Sequence, residues 1–114
     1  MLRTQPCAHV NRKNYDTAKF AFLIEMKSKP GKEADVEAFL AKEASLVKDE
    51  AGTLTWHASK VDGKPGVYRV FDTFVDEAAG DTHMSGPPGQ EFVERADDLF
   101  IETKVHRLQV IVHK

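Results

Sequence analysis

Apolar positions along the chain alternate between a strand-like and a helix-like period. Phe20, Ala21, Phe22, Leu23, Ile24, Glu25 and Met26 form a short run of aromatic and branched side chains, as a strand covered on both faces would. Pro30-Gly31 ends it, and Val36, Phe39, Leu40, Glu43 and Val47 then recur at helical spacing, with Lys32, Glu33, Glu37, Lys42 and Lys48 on the remaining surface. This pattern predicts a helix of about four turns. After Ala51-Gly52, residues Leu54, Trp56 and Ala58 alternate with Thr53, Thr55, His57 and Ser59, a second strand. Asp62 to Gly66 has turn composition. Val67 to Phe74 is a third strand, with Tyr68, Val70, Asp72 and Phe74 on one face and Val67, Arg69, Phe71 and Thr73 on the other. The two strands make a hairpin. Asp76 is an N-cap for a short helix from Glu77 to Met84, Gly86-Pro87-Pro88-Gly89 interrupts it, and Phe92, Val93, Ala96, Leu99 and Phe100 resume helical spacing. Val105 to Val112 alternates again, a last strand running to the C-terminus.

Strand, helix, strand, strand, helix, strand is the split βαβ order. It predicts an α+β, ferredoxin-like domain: a four-stranded antiparallel sheet with helices on one face, spanning residues 19–114, preceded by an irregular arm over residues 1–18. The first strand carries apolar groups of both parities, so the second sheet face also needs a cover. A second copy of the chain is the simplest one, giving a homodimer. His57 and Arg69 have the parity of that face and are expected to pair at the subunit interface.

Composition narrows the classes of function. With 114 residues and 41% hydrophobic content, the chain supports one core. A net charge of −2 leaves no basic surplus for a nucleic-acid backbone. The lone Cys7 has no partner for a disulfide or a CxxC pair, which fits a cytoplasmic protein. No apolar run approaches a membrane span, and the first residues lack a secretory signal core. Five histidines show no HExxH-type spacing and no glycine-rich phosphate loop is present, so neither a metal nor a nucleotide cofactor is expected.

Three features set out in order are more specific: the Pro30-Gly31 turn, the Ala51-Gly52 entry to the second strand, and the stretch from Tyr68 through Asp72, Phe74, Asp76, Glu77, Ala78 and Ala79 to His83. Together they resemble the antibiotic biosynthesis monooxygenase family over Phe20 to Val112. The resemblance implies ferredoxin-like domains paired sheet to sheet as a dimeric α/β barrel. Where members are enzymes, it implies oxidation of phenols, quinols or anthrones by dioxygen without flavin or metal. Phe74 stands where tryptophan is common, Gly80 where leucine is common, and Asp72 where glutamate is usual. The haem-degrading branch of the superfamily is disfavoured, because the first strand has no asparagine and the helix around Glu94-Arg95-Ala96 no histidine.

Cofactor-free oxidation requires an apolar slot, a base and a few donors, since a deprotonated electron-rich ring itself reduces dioxygen. His83 is either that base or a helix-packing histidine, and Asp72 either orients it or is a structural acid. Trp56 and Phe74 are walls for an aromatic ligand or members of the core, and Tyr68 is an oxyanion donor or an ordinary strand tyrosine. The Gly80–Gly89 segment is a gate or a bend. Three functions are consistent with these residues: a monooxygenase of a small aromatic hydroxyl compound, a non-catalytic dimeric binding or stress-response domain, and an isomerase or decyclase using His83 as a proton shuttle.

Overall fold

The computed structural model describes residues 18–114, so the arm expected over residues 1–18, with Cys7 and His9, lies almost wholly outside the described residues. Strand β1 (Phe20–Ser28) leads into helix α1 (Glu33–Val47), the hairpin β2 (Thr53–Lys60) and β3 (Val67–Phe74), helices α2 (Glu77–Ser85) and α3 (Pro87–Leu99), and strand β4 (Phe100–Gln109). The sheet is antiparallel throughout, ordered β2-β3-β1-β4. This is the ferredoxin-like α+β arrangement.

Alternation decides which residues meet the helices. Phe20, Phe22, Ile24 and Met26 of β1 and Tyr68, Val70, Asp72 and Phe74 of β3 are all buried, beneath Val36, Phe39, Leu40 and Val47 of α1. Two aromatic groups anchor the layers. Phe39, Phe92 and Phe100 lie with ring centroids 6.0 to 6.2 Å apart under α1 and α3. Phe20, Phe22 and Phe74 lie 5.1 to 6.3 Å apart under α2. The Arg107 guanidinium stands 4.9 Å over the Phe20 ring and forks to Glu77 at 2.7 Å and Asp81 at 3.1 Å, tying α2 to β4.

Three local expectations change. The helical break is a single residue, Gly86, because Pro87 and Pro88 occupy the first turn of α3, where a missing N–H costs nothing. Strand β4 begins at Phe100 and ends at Gln109, since its register is set by β1: Ser28 faces Phe100 and Phe20 faces Gln109. Leu54 does not share a face with Trp56. The register shifts between Thr53 and Thr55, and Leu54 lies with Phe71 and Thr73 on the face away from the helices.

That open face is apolar at one end and charged at the other. Leu54, Phe71, Thr73, Val110 and Val112 line a concavity of about 680 Å³. Further along, Arg69 pairs with Glu25 at 3.3 Å and His106 reaches the same carboxylate at 2.8 Å. Within the chain, then, Arg69 is engaged by Glu25.

Candidate active site

Asp72 sits on β3 with its side chain under the helices and is 0% exposed. Two residues downstream of the strand, the Asp76 carboxylate accepts the Ala79 N–H at 2.8 Å, starting α2 as an N-cap. The helix then presents Gly80 and His83 inward. Gly80 is what lets it sit low: a Cβ there would lie 2.7 Å from the Phe20 ring. One turn on, His83 is buried, its ring centroid 5.2 Å from that of Phe74. The place of a leucine-sized side chain at Gly80 is taken by the Phe20 ring.

His83 stands between two carboxyl groups. Its Nε2 is 3.4 Å from Asp72 Oδ2, and its Nδ1 is 2.7 Å from Glu50 Oε1. The Thr53 hydroxyl donates to the same Glu50 oxygen at 2.8 Å. Glu50 is brought there by the turn after α1, where its N–H bonds Val47 O and its carbonyl accepts the Thr53 N–H. Gly52 permits the approach of α2 to that turn, since a Cβ on it would meet Ala79 Cβ at 2.7 Å. Among the described residues neither oxygen of Asp72 finds a donor in hydrogen-bond geometry. Burial pushes its carboxyl up to about 6, offset in part by the His83 ring. The site can hold one proton between a buried acid and an imidazole, which is acid–base chemistry.

Trp56 faces Asp72 directly across the β2–β3 ladder, so the two side chains project as neighbours on the helix side. Trp56 also lines a groove of about 540 Å³ between α1 and β2, with Leu40, Ala41, Ala44, Ala58 and Tyr68. At its polar end the Tyr68 hydroxyl donates to Glu37 at 3.0 Å, and Lys60 reaches that carboxylate at 3.5 Å. Burial, with Glu37 second, pushes the Tyr68 phenol up to about 12. The structure thus brings Asp72 to His83 and, separately, Trp56 to Tyr68, and joins the pairs through the Trp56–Asp72 register. It does not bring Phe74 to the groove: Phe74 is 0% exposed and packs beneath His83.

Two acids escaped the sequence reading of the site. Glu50 is given no role there, and only the packing of α2 shows its reach. Glu43 belongs to the buried stripe of α1 and is pushed up to about 8 by burial and by Glu91. Its position on that stripe was the available signal. Among the described residues no three His, Cys, Asp or Glu side chains converge as a metal-binding set, and no helix is long and apolar enough to cross a membrane.

Residues 20–95 match the family model for antibiotic biosynthesis monooxygenases. Among solved structures, a protein of unknown function from Nitrosomonas europaea is 30% identical, with a TM-score of 0.80 over 86% of this chain and 94% of that one. A Caulobacter crescentus protein provisionally named as an antibiotic biosynthesis monooxygenase is 19% identical, with a TM-score of 0.74 over 91% of this chain and 100% of that one. A Mycobacterium tuberculosis protein is 15% identical, with a TM-score of 0.77 over 84% of this chain and 98% of that one. The last two likenesses speak for the fold alone. No curated protein shows a significant match to this chain.

Proposed function

The chain belongs to the antibiotic biosynthesis monooxygenase family, and from that premise we propose that it is a cofactor-independent monooxygenase of a small aromatic hydroxyl compound of the quinol, anthrone or naphthol type. The observation that carries this reading is the buried His83 imidazole 3.4 Å from the Asp72 carboxyl, with Asp72 the cross-strand neighbour of the groove residue Trp56. An aromatic ligand stacks on Trp56 with its hydroxyl toward the His83–Asp72 pair, reached when the indole turns aside. The pair takes the acidic proton, and the resulting anion passes an electron to dioxygen. The two radicals combine at the ring carbon as a peroxide. For an anthrone, its collapse leaves one oxygen atom in the new carbonyl. The other departs as water with the two hydrogens that the carbon gave up.

The protein on this reading is a homodimer in the cytoplasm, paired through the sheet face that carries Leu54 and Phe71.

One observation favours a second reading, a non-catalytic dimeric binding domain. Asp72 is 0% exposed and both nitrogens of His83 already face carboxyl oxygens, as in a purely structural clamp. Oxygen uptake by the metal-free protein with a panel of anthrones, naphthols and quinols separates the two. Uptake that disappears in His83→Ala supports the monooxygenase; no uptake across the panel leaves the binding domain.

A further inference from the structure

We propose that Glu50 is a positioning residue: its carboxylate accepts the Nδ1–H of His83 and so holds the imidazole in the tautomer whose basic Nε2 faces Asp72. The inference deepens the reading of His83 as proton acceptor and, as a mechanism, rests on it.

The donor and acceptor roles follow from Glu50 as a carboxylate, which only accepts. Glu50 Oε1 accepts the Thr53 hydroxyl at 2.8 Å, so this oxygen presents lone pairs to its neighbours. The same oxygen is 2.7 Å from His83 Nδ1. A contact that short to an accepting oxygen requires a proton on the nitrogen. A neutral imidazole with Nδ1–H has a bare Nε2, and that nitrogen stands 3.4 Å from Asp72 Oδ2, an oxygen for which no described donor serves. The mobile proton of the site is therefore confined to the Nε2–Asp72 side, the side of Trp56. The ring has little room to invert, being 4% exposed and packed on Phe74.

The placement is built into the chain at two glycines and a cap. Gly52 allows α2 to rest on the turn that carries Glu50, and Gly80 allows the same helix to rest on Phe20. Asp76 fixes where that helix starts. The ionisable groups against the ring come from two elements, Asp72 from β3 and Glu50 from the turn after α1, and Glu43 of α1 in turn feels Glu50.

The test is long-range proton–nitrogen NMR of the imidazole-labelled protein, wild type beside Glu50→Gln and Glu50→Ala, with oxygen uptake measured on the same samples. Expected is a protonated, pyrrole-type Nδ1 in the wild type at every pH where the protein is folded. In Glu50→Ala the proton should move to Nε2, and in Glu50→Gln, which keeps the shape, the two tautomers should mix. With an oxidisable substrate, Glu50→Gln should lower kcat about a hundredfold with KM unchanged. A bare, pyridine-type Nδ1 in the wild type overturns the assignment, as does Glu50→Gln with wild-type nitrogen shifts. Absence of oxygen uptake by the wild type instead removes the monooxygenase reading, while the nitrogen shifts still decide what Glu50 does.

Discussion

Gly80 and Phe20 occupy one space: a methyl group on the glycine would fall 2.7 Å from two carbons of the phenyl ring. The ring cannot retreat, since it is 1% exposed, edge-on to Phe22 and capped by Arg107. Helix propensity alone would make Gly80→Ala stabilising by about 1 kcal/mol. Overpacking of a closed core costs about 1 to 3 kcal/mol, so the net expectation is a loss of roughly 1 kcal/mol. Urea midpoints check it, and Gly80→Ala combined with Phe20→Leu should recover the loss. A stabilised single variant would show that α2 floats above the sheet.

Glu43 supplies a pH dependence of definite sign. Its folded carboxyl holds its proton more tightly than the unfolded one, being raised from 4.5 to about 8, first by burial. Its contribution to stability is therefore fully present below about pH 4.5, falls as the pH rises, and levels off above pH 8. Glu43→Gln removes the titration while keeping the shape. Relative to wild type it should gain a few kcal/mol, of order 3, between pH 5 and pH 8. Denaturation at the two pH values measures this directly, and equal gains at both would mean that Glu43 is charged in the folded protein.

Periodicity was enough for the fold because each element buries one well-marked face: β3 spans Val67–Phe74, as its alternation predicts, and α1 buries the Val36, Phe39, Leu40, Glu43, Val47 stripe. The ends of β4 were not legible, since pairing with β1 sets them and Phe100 fits a helix end as well as a strand start. Leu54 misled because a bulge changes parity without changing composition. At the candidate site, the approach of His83 to Asp72 was readable from the order of motifs. Glu50 was not, because its role depends on a contact across 33 positions of sequence made possible by glycines.

Trp56 is the one tryptophan in the chain and lines the groove, so selectively excited tryptophan fluorescence reports on that groove. Titration with a naphthol or anthrone should quench it in a saturable way. Loss of the Tyr68 hydroxyl should weaken binding about three- to tenfold, as for one neutral hydrogen bond. The phenol donates to Glu37, so Tyr68→Phe should also lower stability by about 1 kcal/mol. Quenching that does not saturate, or that is unchanged in Tyr68→Phe, would place the ligand elsewhere.

The proposed dimer depends on the apolar end of the open sheet face. Phe71 is 42% exposed there, opposite Leu23 in the ladder and beside Leu54, whereas Glu25, Arg69 and His106 satisfy one another at the charged end. A twofold interface uses each residue twice. Burying one phenyl group contributes about 2 kcal/mol, so Phe71→Glu should cost roughly 4 kcal/mol and weaken association about a thousandfold. Light scattering at tens of micromolar should then find a dimeric wild type and a monomeric Phe71→Glu, with Glu25→Gln still dimeric. A monomeric wild type removes the dimer, and a Glu25→Gln monomer moves the contact to the charged end. In that second case the exposed phenyl group is left for another partner.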